Sequence, residues 1–401
     1  MATKRAIVSM CLVLLAAGCA AVHGSSQLKV LWKVPVGPAS SIQTFATAVL
    51  PDSNTVIVQG PTPDDSTTAI FGVDTASGHK VWTLPSGVGG DGGIVTQADS
   101  TTFAVLNISH VTVYDGSAGL LKFKWDAVVP SQSFSAMSEG LLVCGTDAGA
   151  TQFNEVGFEL LSGKQVYNHS KFMLNSMGVI GTCNSGIVFS IFEGPIAVMD
   201  PKTTNFTRSL SGGYQNLVTP SLFLSCSPNT SDTSSIQAVR YTDGGTQWTY
   251  SMPAGLGMCN QSHTGSPVLS RDGSIAFFAT QSPPNLVAVE VLTGTKLWSA
   301  PLHTNDPGPT SHYNLWGYLT VTDTFVAVFE ITFSQECCQL ASVKRMVAYD
   351  LLTGSKISLE YFANTLYPQA MPVGGSDGVF LLASVPSTFY RPAQLFKFGL
   401  A

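Results

Sequence analysis

Cys337 and Cys338 stand side by side late in the 401-residue chain, and adjacent thiols form either one strained loop disulfide or two ordinary ones. His263 follows Cys259 closely, the kind of pairing that a metal site or an activated thiol uses, but no second paired ligand spacing accompanies it. His312-Tyr313-Asn314-Leu315-Trp316 sets aromatic faces beside an amide, which suits stacking on a carbohydrate or a quinone, or a packed loop anchor. Gln43, Asp91, Gln132, Asn175, Asn216, His263, Asn314 and Gln369 fall near one common point of the internal repeat set out below. With Trp316 they make a candidate ligand-binding rim, amide-rich enough to hydrogen-bond a sugar or a peptide. Asp91 is its one carboxylate, so it suits calcium poorly; a water-filled, solvated rim is the plain alternative. No catalytic residue and no metal ligand set stands out. His-Glu-x-x-His and Gly-x-Ser-x-Gly are absent, and the glycine-rich stretch 87–93 lacks the Lys-Ser/Thr of a phosphate cradle, so it reads as a connecting turn.

The composition says what must position these residues. Forty-four per cent of the chain is hydrophobic and only 11% is charged, well below the roughly 25% of an average soluble domain. Thirty-eight glycines and 22 prolines argue against long helices, and the 10% aromatic content against disorder. A net charge of −6 disfavours a sequence-independent grip on nucleic acid phosphates. A large all-β protein is expected.

Residues 1–24 read as a secretory signal peptide: Lys4 and Arg5, a short apolar core from Ile7 to Ala17, then the small residues Ala20, Ala21 and Gly24. That core is too short to cross a bilayer, and no later stretch qualifies, so no transmembrane span is expected. Leu15-Ala16-Ala17-Gly18-Cys19 also resembles a bacterial lipobox, which would anchor the chain through Cys19. Five sequons, at Asn107, Asn168, Asn205, Asn229 and Asn260, point instead to N-glycosylation on a eukaryotic secretory route. Beyond the signal, six of the chain's eight cysteines remain (Cys144, Cys183, Cys226, Cys259, Cys337 and Cys338), an even number compatible with disulfides in an exported protein.

Residues 25–401 read as one repeat array. A block of apolar-x-apolar-acid-x-x-Ser/Thr-Gly-x-x-apolar-Trp runs from Phe71 through Asp74, Ser77 and Gly78 to Trp82. It returns from Val287 through Glu290, Thr293 and Gly294 to Trp298, and again from Val347 through Asp350, Thr353 and Gly354 to Ile357. Looser copies surround Asp115, Glu159, Asp200 and Arg240, at spacings of roughly 40 to 60 residues, the repeat length of a propeller blade. Alternating apolar residues make a strand with one buried face, and the acid-x-x-Ser/Thr-Gly segment turns the chain through side-chain bonds to amides and a glycine at positive φ. The tryptophan offers a flat surface to fill the wedge between packed sheets. Two strand-like runs precede each block, which makes four strands per repeat.

This pattern resembles the quinoprotein-alcohol-dehydrogenase-like, or PQQ-repeat, β-propeller superfamily, whose signature is Ala-x-Asp-x-x-Thr-Gly-x-x-x-Trp after a strand. The chain departs from it at Arg240, where the acid is replaced, and at Thr203-Thr204, where the glycine is missing. Leu28-Lys29-Val30-Leu31-Trp32 resembles the outer strand that the last repeat lacks. The expected fold is therefore an eight-bladed β-propeller whose last blade is closed by the N-terminal strand, with seven blades as the runner-up. Dehydrogenases of that superfamily hold PQQ and calcium in the central funnel, and some cover the cofactor with a vicinal disulfide. Cys337-Cys338 is such a pair, but it lies late in the chain, whereas those enzymes carry theirs early. The main expectation is a secreted, non-catalytic propeller without a cofactor, which binds a protein or a glycan as a scaffold, adhesion or recognition module. The alternatives are a PQQ- and calcium-dependent alcohol or sugar dehydrogenase and a bacterial outer-membrane assembly lipoprotein.

Overall fold

The computed structural model describes residues 27–39, 46–61, 68–85, 88, 94–97, 101–107, 110–126, 134–138, 141–147, 152–160, 162–172, 177–183, 186–191, 196–200, 206–210, 214–228, 234–251, 267–281, 284–302, 312–334, 342–368, 372–384 and 391–401. Among them, one short 3-10 turn (Pro51–Ser53) is the only helical element, and everything else regular is antiparallel strand. No described helix is long and apolar enough to cross a membrane.

Six four-stranded sheets follow one another along the chain, over 46–83, 94–126, 134–172, 177–210, 214–251 and 268–301, here the first to sixth sheets. In each, the strands pair in sequence order, so every connection within a sheet is a hairpin. The remaining strands form one eight-stranded array. It divides at the strand Lys356–Pro368, which does two jobs. Its first part pairs with Ser342–Asp350 as the outer strand of a seventh sheet, starting at His312. Its end, Tyr367 and Pro368, pairs with Ser384 and Ala383 of the next sheet.

That eighth sheet is composite. Val373–Gly374, Val379–Ser384 and Arg391–Leu400 come from the end of the chain, and Leu28–Ala39 from its beginning. Leu28 lies opposite Leu400 and Ala39 opposite Arg391. Gln27 and Ala401 exchange backbone hydrogen bonds of 3.2 and 3.0 Å.

Among the described residues, the sheets hide apolar residues against their neighbours. Ile57 and Ile70 of the first sheet meet Phe103 and Val105 of the second. Phe277 and Ala288 of the sixth meet Val326 and Val347 of the seventh, and Val56 and Val58 of the first meet Leu382 and Leu395 of the eighth. The alternation of the strands splits Phe325–Ser334 in the same way: Val326 and Val328 face the sixth sheet, Phe325, Ala327 and Phe329 the eighth.

The repeated block explains the contact between sheets in atomic terms. The indole Nε1 of Trp82 donates to the Gly116 carbonyl in the next sheet's turn at 2.9 Å. Trp248 donates to Val291 at 2.8 Å, Trp298 to Leu351 at 3.1 Å, Trp32 to Thr75 at 3.1 Å, and Trp125 to Gly163. The turn glycine then has a second duty besides its positive φ. A Cβ on Gly354 (φ +68) would lie 2.5 Å from the Trp298 ring, and one on Gly294 2.5 Å from Trp248. Gly78 lies under Trp32 and Gly119 under Trp82 in the same manner.

The acids of the block are turn residues, as expected. Asp74 Oδ1 accepts from the Ser77 amide (2.7 Å) and hydroxyl (2.6 Å), and Asp350 Oδ1 accepts from the Thr353 amide and hydroxyl, both at 2.8 Å. At the departure around Arg240 the acid has moved within the turn. Asp243 accepts the amide of Gly245 at 2.8 Å and pairs with Arg240 at 2.8 Å. The turn keeps its carboxylate cap in a different place.

Candidate functional site

The inner strands of the first, sixth, seventh and eighth sheets converge on a cavity of about 550 Å³. Its walls are apolar in large part, from Val268, Leu269, Val321 and Val373, with Thr47 and Thr320 among them. Gly374 is there because nothing larger fits: a Cβ would lie 1.8 Å from the Val321 carbonyl oxygen. At that point the inner strands of the seventh and eighth sheets touch backbone to backbone.

Among the described residues, one charged side chain lines this cavity, Arg271. Its Nη1 pairs with Asp323 of the seventh sheet at 3.1 Å, and both side chains are nearly half exposed. Next to it, Asp272 accepts from the Ser270 hydroxyl at 2.6 Å and from the Ser274 amide at 3.1 Å, and the Ser270 bond leads the causes that hold its carboxyl below the usual range. The Asp323 amide donates to Ser376 at 3.1 Å and ties the seventh sheet to the eighth. This end of the cavity offers one guanidinium, already engaged, two threonine hydroxyls and apolar wall.

Among the described residues, three further charged side chains are buried between or within sheets. Lys397 is 2% exposed, and its Nζ donates to Asp377 at 2.7 Å and to the Thr75 carbonyl at 2.9 Å, so it joins the eighth sheet to the first beside Trp32. Glu330 and Arg345, facing each other on paired strands of the seventh sheet, form an ion pair that is 4% and 5% exposed. Near them the Tyr349 hydroxyl donates to the Pro301 carbonyl of the sixth sheet at 2.9 Å; burial pushes its pKa up to about 12 despite the pull of Arg345. Sequence reading missed Arg271, Lys397 and the Glu330–Arg345 pair. The signal for Lys397 was there: it stands in Phe396-Lys397-Phe398, where other blocks place Gly72, Ala288 or Ala348.

Of the expected rim, Gln43, Asp91, Gln132, Asn175, His263 and Gln369 lie outside the described residues, as do Cys337 and Cys338, the glycosylation candidates Asn205, Asn229 and Asn260, and most of 87–93. Asn216 lies on Tyr214–Val218, where the pairing with Leu222–Pro228 shifts register. Asn314 and Trp316 lie on His312–Val321, opposite Thr332 and Glu330. Both are thus on inner strands, and the second pair sits at the end of its strand away from the cavity-lining Leu319, Thr320 and Val321. Asn107 ends a strand at the hairpin with His110, and Asn168 lies on the outer strand of the third sheet. Among the described residues, no three His, Cys, Asp or Glu gather as a metal site would require.

A family model described as outer membrane protein assembly factor BamB matches residues 221–376. Among solved structures, BamB from Moraxella catarrhalis superposes with a TM-score of 0.52 at 11% identity, over 93% of this chain and 97% of that one. The quinohemoprotein alcohol dehydrogenase from Comamonas testosteroni gives 0.53 at 10% identity, over 93% and 76%. The C-terminal WD40 domain of Sif2 gives 0.59 at 11% identity, over 92% and 98%. No curated protein matches the chain in sequence. The match spans less than half of this chain, and with these neighbours it speaks for a propeller-like fold built of PQQ-type repeats. At such identities the likeness speaks for the fold and leaves the activity open.

Proposed function

We propose that the chain is an eight-bladed propeller, closed by its N-terminal strand, that works without catalysis as an exported binding or scaffold module. The pairing of Leu28–Ala39 with Arg391–Leu400 and the shared strand Lys356–Pro368 support eight blades over seven. The observation that carries the non-catalytic reading is where the charge goes. Asp74, Asp115, Asp243 and Asp350 are spent in turns, and Lys397 and the Glu330–Arg345 pair between or within sheets. Among the described residues the cavity is left with Arg271, which is paired.

PQQ carries several carboxylates and is held with calcium in its enzymes. The described cavity lining offers one engaged guanidinium and no carboxylate, so it does not fit that group. The match to the assembly-factor model favours, within the scaffold reading, a bacterial envelope protein anchored through Cys19. The five sequons favour a secreted glycoprotein. Both remain scaffold functions with a protein or glycan partner, and neither calls for nucleic acid.

The decisive experiment adds PQQ and calcium to the purified mature protein and follows quinone absorbance and dye reduction with alcohols and aldoses. The scaffold reading expects neither saturable quinone binding nor turnover. Turnover with bound quinone would replace it by the dehydrogenase. Intact-mass measurement before and after glycosidase treatment separates glycan from lipid.

A further inference from the structure

A sheet ends in a strand whose outward N–H and C=O groups have no partner, and proteins guard such edges with charge, most often lysine. The outer strands of this molecule follow the rule almost throughout. Lys29 and Lys33 stand on Leu28–Ala39, Lys80 on Lys80–Thr83, and Lys122 and Lys124 on Leu121–Asp126. Lys171, Arg208, Lys296 and Lys356 stand on the outer strands of the third, fourth, sixth and seventh sheets. The fifth sheet breaks the rule. Its outer strand, Thr246-Gln247-Trp248-Thr249-Tyr250-Ser251, has neither charge nor proline.

That strand is also built to stay extended. Trp248 and Tyr250 are half-buried against the sixth sheet, while Thr246, Gln247, Thr249 and Ser251 are exposed. Threonine and aromatic residues are strong strand formers. Among the described residues the strand pairs on one side only, with Ser234–Arg240. At its start, Arg240 is neutralised by Asp243 and its Nη1 donates to Gln247 at 2.8 Å, so this end brings no net charge to the edge.

We propose that Thr246–Ser251 is a docking edge for a second copy of this chain, the two strands pairing antiparallel about a twofold axis. A strand that docks here must itself be uncharged along its length, because a lysine brought against this edge would meet no carboxylate. Among the eight outer strands of this chain, Thr246–Ser251 alone meets that condition, and it is its own match. An isologous contact of this kind closes after two copies and does not propagate. Six residues of strand make a small contact, so the dimer forms and dissolves with concentration.

Sedimentation velocity on the mature protein over a wide concentration range tests this. The expected result is a rise from monomer to dimer mass, insensitive to salt, with hydrogen exchange slowed at 247–250 in the dimer. Thr249→Lys restores the guard found on the other edges and is expected to abolish the rise while leaving the thermal midpoint close to that of the parent. Thr246→Lys repeats the test at the strand's first residue should the first variant fold poorly. A chain that stays monomeric throughout overturns the proposal, even if it captures a different protein. A dimer that survives in a folded lysine variant overturns it as well.

Discussion

The seams on the two sides of the sixth sheet and those on the two sides of the fourth join the same four-stranded unit, yet they are pinned differently. Trp248 and Trp298 cross the first pair of seams, each with its indole on a neighbouring carbonyl and its ring over a glycine. The outer strands Gln165–Phe172 and Phe206–Leu210, which face the second pair, contain no tryptophan. The sequence after Ile196–Met199 then reads Asp200-Pro201-Lys202-Thr203-Thr204, without glycine. Where the preceding sheet has lost the ring, the next copy of the block has lost, in sequence, the residue that made room for it. Gly244 (φ +72) shows the other requirement by itself: the sheet before it has no tryptophan, and glycine is kept for the backbone alone. The motif is satisfied between neighbouring repeats, although it is written within one.

The largest test of this difference is Trp298→Ala. Trp298 is buried between the sixth and seventh sheets, and its removal is expected to cost about 4 kcal/mol in denaturant unfolding. A cost near that of an ordinary surface change would mean that the pinned seams are no stronger than the unpinned ones. Gly354→Ala comes next, at about 3 kcal/mol, since it combines a left-handed φ with overlap of the Trp298 ring. Its control is Gly273→Ala, with φ +72 and nothing within 4 Å, for which about 1 kcal/mol is expected. Equal costs at the two glycines would leave φ as the whole explanation. Trp298→Phe keeps the ring and loses the bond to Leu351, and about 1 kcal/mol is expected.

The smallest effect is in the turns. The Ser77 hydroxyl holds the Asp74 carboxyl below its ordinary value of 3.8, and Ser117 does the same for Asp115. A carboxylate whose pKa is lowered by folding adds stability above the ordinary value, and that stability is lost as pH falls through the folded one. Thermal midpoints are therefore expected to drop below about pH 4, and Asp74→Asn to shrink that drop slightly. An acid limb unchanged in the variant would show that this turn carbonyl serves as well as the carboxylate.

Much of the architecture could be read from particular residues. Phe71–Trp82 and Val287–Trp298 announce themselves because strand alternation and turn chemistry are local and act over a few positions. Leu28-Lys29-Val30-Leu31-Trp32 could be matched to the end of the chain because it looks like half of a block. The second duty of Gly354 was not legible, since the ring that demands it belongs to the previous repeat. Nor was the cavity: Arg271, Thr320 and Gly374 meet only through folding, and none sits in a motif. The rim of amides rests on a repeat alignment whose members fall mostly between the described strands.

The reciprocal bonds between Gln27 and Ala401 have a consequence for how the molecule comes into being. The strand Leu28–Ala39 has its pairing partner, Arg391–Leu400, hundreds of positions later in the chain, so during synthesis it must wait, unsatisfied, until that partner emerges. A chain cut short before Arg391 would expose that strand and the bare flank of the first sheet, and so mark itself for chaperones or proteases.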